Sequence, residues 1–162
     1  MELQFRSEPL EEDIQTVHQL LSGNGIFRPR EILVAVELVQ DRITKGPDSE
    51  YRFIFADSEN QLAGFVCYGE IAVTVGSYDL YWIAVRNDCR ERGVGKELLL
   101  RAEKDAVSSG ARAMFIETSS RIDYAPAKHF YQKAGYAETC IVRDFYDAGD
   151  HKVIFSKDLL KG

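Results

Sequence analysis

The stretch YDLYWIAVRNDCRERGVGKELL, residues 78–99, decides how this chain is read. Its first eight residues form a near-continuous apolar run, the pattern of a strand buried on both faces. From Val94 onward the period changes. Val94, Leu98, Ala102 and Ala106 fall on one helical stripe, and Gly110 stands where that helix should stop. Between strand and helix lies RERGVG, residues 90–95. The first turn of a helix has N–H groups without intrahelical partners and a partial positive charge, which together make an anion site. Gly93 and Gly95 let the backbone approach a bulky diphosphate with no Cβ in the way. Arg90, Arg92 and Lys96 concentrate positive charge in a chain whose formal net charge is -6. The plainer alternative is a glycine turn ringed by solvated charges. A Rossmann fingerprint fits less well because GxGxxG is absent, and no GK[ST] follows to make a Walker loop.

Working outward, Leu3 and Phe5 alternate as a short first strand. Ser7-Glu8-Pro9 reads as the opening of a helix that carries Ile14, Val17, His18 and Leu21 and ends at Ser22-Gly23. A second helix is expected from Pro29 to about Thr44, with Ile32, Val36, Leu38 and Val39 as its apolar positions. Residues 51–56 and 62–71 read as strands, and residues 57–60 as the hairpin turn between them. After the central unit come a strand at 113–118, a helix opened by Pro126 and closed at Ala134-Gly135, and two strands near 137–143 and 152–156. The order is β-α-α-β-β-β-α-β-α-β-β. This is an α/β fold in a single domain over residues 1–162, expected to hold a mixed sheet of about six to seven strands flanked by about four helices.

Composition narrows the function. The acidic balance argues against nucleic acid or an anionic membrane as partner. No apolar run approaches the roughly 20 residues that span a bilayer. The N-terminus lacks the features of a signal peptide. Cys67, Cys89 and Cys140 are odd in number and widely spaced, which disfavours a disulfide framework or a zinc site and points to a reducing cytoplasm.

YWIAVRNDCRERGVGKELL, residues 81–99, resembles motif A of the GNAT superfamily of N-acetyltransferases, whose signature is Q/R-x-x-G-x-G/A. YAPAKHFYQKAGY, residues 124–136, resembles motif B, whose core is FY-x-x-x-G-F/Y. The resemblance is good from Leu62 to Val142, and the order of elements extends it to the rest. It implies acetyl-CoA as donor, with no metal. The backbone of Ile83, Ala84 and Val85 would pair with the pantetheine arm as an added strand would. The N–H groups of Arg90, Glu91, Arg92, Gly93, Val94, Gly95 and Lys96 would bind the pyrophosphate. Tyr124 stands where many members keep an asparagine that contacts the cofactor.

Acyl transfer to an amine needs a base, because at neutral pH an alkylammonium is free base only about once in a few thousand molecules. It also needs donors for the oxyanion and a proton for the leaving thiolate. The resemblance places Tyr131 beside the cofactor sulfur as general acid, with packing in the core as the alternative role. The oxyanion donor would be a backbone N–H on the 83–85 strand, that of Val85 above all. For the base, Asp79 lies at the spacing before Arg90 where the histone-type branch keeps its glutamate. Strand alternation would set it on one face with Tyr81 and Ile83. Glu70 is the rival and Glu117 the third candidate; each has a structural salt bridge as its alternative. Arg28, Arg30 or Arg121 would pair a carboxylate on an amino-acid-like acceptor. The expected activity is acetylation of a primary amine on a small metabolite. A protein or peptide N-acetyltransferase and a non-catalytic acyl-CoA sensor are the alternatives, and a homodimer fits the family.

Overall fold

In the computed structural model, which describes residues 1–161, the expected order of elements is present. The elements are β1 (Gln4–Arg6), α1 (Asp13–Asn24), α2 (Pro29–Lys45), β2 (Arg52–Ser58), β3 (Gln61–Glu70), β4 (Ser77–Val85), α3 (Val94–Ser108), β5 (Ala113–Ser119), α4 (Ala125–Lys133), β6 (Ala137–Asp147) and β7 (Asp150–Asp158). One seven-stranded sheet runs β1-β2-β3-β4-β5-β7-β6. Every neighbouring pair is antiparallel except β4 and β5, which are parallel and joined through α3.

Two apolar cores lie on opposite faces. Leu98, Leu99 and Ala102 of α3 and Tyr131 of α4 pack on Leu80, Ile116 and Phe155. Val17 and Leu21 of α1 and Ile32 and Val39 of α2 pack on Phe53, Phe55 and Phe65. The first helix begins later than Ser7-Glu8-Pro9 suggests. Asp13 is 1% exposed, accepts both terminal guanidinium nitrogens of Arg6 at 2.6 and 2.7 Å, and accepts the Leu10 N–H at 2.6 Å. That knot holds the preceding residues in turns, so the helix starts at Asp13. Leu20, rather than His18, completes its buried stripe. The 57–60 turn is tighter than expected. Glu59 and Asn60 both have positive φ, 52° and 60°, the geometry that matches strand twist in a two-residue hairpin.

The decisive departure is in β4. Its register against β3 pairs Tyr68 with Leu80 but Cys67 with Trp82, so Tyr81 is the extra residue of a bulge. Before the bulge, Tyr78 and Leu80 face the α3 side. After it, Ile83 and Val85 take that side while Trp82 and Ala84 face α1 and α2. Asp79 and Tyr81 therefore share the α1/α2 face, and Ile83, expected beside them, is on the other. The strand is not buried throughout either. Tyr81 is 36% exposed, and Trp82 and Ile83 are only partly covered. The cause is β5, which pairs with Ser77–Leu80 and then departs.

Close approach also shapes β3. A Cβ on Gly69, opposite Asp79, would collide with the carbonyl oxygen of Glu50, whereas one on Gly95 would meet Phe130 and Val85 at an ordinary 3.5 Å. Gly69→Ala is expected to lower stability by about 1–3 kcal/mol. Urea titration should show this as a shifted midpoint at unchanged m-value, with Gly95→Ala near wild type.

Candidate active site

The loop before α3 is built as an anion receptor. Glu91 and Gly93 occupy the left-handed region at φ 62° and 82°, with Arg92 between them at negative φ. Alternation of this kind gathers successive N–H groups into a concave nest. Glu97 is the first residue of α3 whose N–H finds a backbone acceptor, the Gly93 carbonyl at 3.0 Å. Among the described residues, the N–H groups from Glu91 to Lys96 donate to no backbone carbonyl. That of Arg90 does, reaching Asn87 at 3.3 Å, so Arg90 is left to act through its side chain. Arg90, Arg92 and Lys96 are all exposed. The two glycines divide the work otherwise than expected. Gly93 supplies the left-handed turn and has open space around it. The missing Cβ of Gly95 faces inward toward Phe130 and Val85, so this glycine seats α3 on α4 and β4.

Beside the loop, the β4 edge that faces away from β3 is unpaired beyond Leu80, because β5 pairs no further than Ile116. The Arg86 N–H donates to Ala63 on β3 at 2.8 Å. Alternation then points the N–H and C=O of Ala84 at β3 and those of Ile83 and Val85 into the gap between β4 and β5. An extended pantetheine arm would meet those groups, and a diphosphate would meet the six free N–H groups and three cations. The residues present fit coenzyme A.

Tyr131 sits in the α3-side core, 7% exposed, with Phe130, Tyr136 and Phe155 around its ring. Burial pushes its phenol above the ordinary range. The hydroxyls of Tyr68 and Tyr136 are held by Asp105 and Glu103 at 2.7 and 2.9 Å. That of Tyr131 meets no partner among the described residues. Asp79 is on the opposite face, where β4 and β5 begin to part. Burial, and then the negative charge of Glu117, raise its carboxyl to about 6, with Lys152 opposing the shift. Glu117 is held by Lys152 at 2.9 Å. Asp79, Glu117 and Lys152 thus come together across β4, β5 and β7. Glu70 does not join them. It is exposed at the end of β3 opposite Tyr78, and alternation from Tyr68 puts it on the α3 side.

Tyr124 turns toward α2. Its hydroxyl donates to Glu31 at 3.2 Å, and its ring stands 6.3 Å from that of Phe27. Arg121 is engaged by Asp123 at 2.8 Å and by the Ile26 carbonyl at 3.3 Å. Arg28 lies 3.9 Å from the buried Asp150, which also accepts the Ser119 hydroxyl. Lys152, Glu31 and Asp150 carry no motif signal. Only the approach of β7 and α2 to the gap brings them in. A hollow of about 1160 Å³ lies elsewhere, lined by Arg6, Asp13, Asp57 and Arg86 among others, and includes none of the loop, Asp79 or Tyr131. Its arginines are bound by neighbouring carboxylates.

The sequence profile of the Acetyltransferase (GNAT) family matches residues 18–136. A protein from Desulfovibrio desulfuricans assigned to the GNAT acetyltransferases is 37% identical over 98% of this chain and 99% of its own, with a TM-score of 0.95. The ribosomal-protein-S18-alanine N-acetyltransferase of Escherichia coli (18% identity, TM-score 0.76, 98% and 94% covered) shares the fold. So does the PaiA N-acetyltransferase of Thermoplasma acidophilum, solved with coenzyme A (20% identity, TM-score 0.76, 98% and 99% covered). No curated protein sequence matches. The chain belongs to the GNAT family. It is an acyl-CoA N-acyltransferase that takes acetyl-CoA as co-substrate.

Replacing Gly93 with valine forces a β-branched residue into left-handed backbone and closes the nest. Calorimetric titration should show coenzyme A binding weakened about tenfold or more, equivalent to at least ~1.4 kcal/mol. Gly95→Ala should bind as wild type does.

Proposed function

We propose that this enzyme transfers the acetyl group directly to a primary amine of a small metabolite, with Asp79 as base and Tyr131 as acid. What supports this reading is a carboxylate raised by burial where β4 and β5 begin to part, with the motif B tyrosine left without a hydrogen-bond partner on the other face of the sheet. Acetyl-CoA brings the activated thioester. The protein holds the donor by the 91–96 N–H groups and the Ile83 and Val85 backbone, and the Val85 N–H faces charge that develops on the acetyl oxygen. An incoming ammonium gives a proton to Asp79, whose raised carboxyl lies close enough to neutrality to accept one. The Tyr131 hydroxyl, free of structural partners, protonates the departing thiolate. Glu70, on the other face, is the lesser candidate. An amino-acid-like acceptor would rely on Arg28, since Arg121 is already engaged.

The free cysteines support a cytoplasmic setting for one working unit over the whole chain. No helix among the described residues is long and apolar enough to cross a membrane. The edge strand β6 supports pairing with a second copy: all eleven of its residues are exposed, Ile141 and Phe145 by 51% and 52%.

Asp79→Asn and Tyr131→Phe should each lower kcat by about 10²–10⁴-fold in a thiol-release assay while coenzyme A still binds. Undiminished turnover in both variants would remove these assignments. The pH dependence is a second check. In wild type, kcat should rise through pH of about 6 and level off as Asp79 ionises, a limb that D79N lacks. The same shift has a stability sign. The native carboxyl binds its proton more tightly than the unfolded one, so its contribution is complete below the ordinary carboxylate range and is lost as pH rises through about 6. D79N should therefore gain melting temperature relative to wild type at pH 8 but not at pH 4.

A further inference from the structure

Charge on the acceptor side of the gap does not balance, and the imbalance has a direction. Three cations there are matched: Lys152 by Glu117 at 2.9 Å, Arg121 by Asp123 at 2.8 Å, and Arg28 by Asp150 at 3.9 Å. Two carboxylates are not. Asp79 and Glu31 form no ion pair among the described residues. Glu31 is partly buried and fixed by neutral donors only: the Arg28 backbone N–H at 2.6 Å on one oxygen and the Tyr124 hydroxyl at 3.2 Å on the other. Those bonds orient the carboxylate; the Arg121 guanidinium, 5.2 Å over the Tyr124 ring, also acts on it but is already bound by Asp123.

An aromatic wall runs from β4 to Glu31. Trp82 lies three residues beyond Asp79 on β4. The ring of Phe27 stands edge-on to Trp82 at 5.1 Å, and Tyr124 stands edge-on to Phe27 at 6.3 Å. Tyr124 then ends on Glu31. The other flank is acidic as well. The half-buried hydroxyl of Tyr146 is pushed up to about 12 by burial and by the charges of Glu117, Asp150 and Glu31. An apolar track with an unmatched carboxylate at each end suits an aliphatic chain bearing a cation at each end. Methylenes lie well on aromatic faces, and ammonium groups gain both from the rings and from charge-assisted hydrogen bonds.

We infer that the acceptor is an aliphatic diamine, acetylated at the nitrogen beside Asp79 while its second, protonated amine is held by Glu31 at the far end of the Trp82-Phe27-Tyr124 wall. This rests on the acetyl-transfer reading of the gap. In the step, the reacting ammonium gives one proton to Asp79 and attacks as the free amine, the C–N bond forms as the thioester C–S bond breaks, the thiolate takes a proton from Tyr131, and the second proton of the acylated nitrogen passes to the tyrosinate so formed. The second ammonium is unchanged and serves as the handle. Glu31 is a specificity-determining residue rather than part of the proton path.

The test compares acceptors of equal chain length at saturating acetyl-CoA: cadaverine with two amines, pentylamine with one, and aminovalerate with an amine and a carboxylate. Cadaverine should exceed pentylamine in kcat/KM by about tenfold or more, the scale of one charge-assisted contact, and aminovalerate should be poorest. Glu31→Gln keeps an acceptor for Tyr124 but removes the charge. It should erase most of the cadaverine advantage through KM, leaving pentylamine turnover and coenzyme A affinity unchanged. Equal turnover of cadaverine and pentylamine, preference for aminovalerate, or an E31Q loss shared equally by both amines would overturn the diamine assignment while leaving acetyl transfer standing. Failure to acetylate any amine despite coenzyme A binding would overturn both.

Discussion

The structure depends on a pairing that stops early. β4 and β5 are held together by four residue pairs, Ser77 with Ala113 through Leu80 with Ile116. Past that point β4 stays with β3, and β5 stays with β7 along its whole length. One sheet therefore becomes two half-sheets hinged at a short parallel seam, with α3 crossing on one face. An unpaired sheet edge is ordinarily a hazard, because its N–H and C=O groups seek another strand. Here the edge from Tyr81 to Val85 is short and leads into the anion nest before α3.

The bulge at Tyr81 sets what the gap can do. Without it, strict alternation would carry Asp79 and Ile83 on one face, and the backbone groups that now enter the gap would be turned the other way. One extra residue keeps Asp79 and Tyr81 on the α1/α2 face while the main chain of Ile83 and Val85 turns into the gap. The sheet also separates the two groups proposed to carry protons. Asp79 titrates beside Glu117 and Lys152 on one face, and Tyr131 lies among aromatic rings on the other. Their surroundings differ, and so do the causes of their shifts: charge and burial for the first, burial alone for the second.

Much of this was legible in the sequence. The order of elements, the loop and the helix after it follow from period and glycine placement, because strand, nest and helix are local and each leaves its mark within a few residues. The late start of α1 was not legible. It depends on Arg6, itself bound by Asp57 of β2, reaching Asp13. The bulge was hidden for a like reason: YDLYWIAV reads equally well in either register, and only the partner strand decides. Asp79 was visible as a carboxylate in an apolar strand. Lys152 and Glu31 were not, since each looks like one more surface charge until β7 and α2 bring them to the seam. The role of Gly95 was misread because spacing shows that a glycine is present but not which way its absent side chain would point.

The nest before α3 has a further consequence. Its recognition groups belong to the main chain, and every amino acid but proline carries the same N–H. The exposed side chains at 91, 92 and 96 can therefore vary while the main-chain part of the nest persists, provided left-handed backbone survives at 91 and 93. The acceptor wall has no such insurance. Under the diamine assignment, Phe27, Tyr124 and Glu31 act through what their side chains are, so a single replacement would rewrite the preference without disturbing the donor. A protein built this way inherits its chemistry through backbone shape and its choice of partner molecule through a handful of letters, and the two can be revised on separate evolutionary clocks.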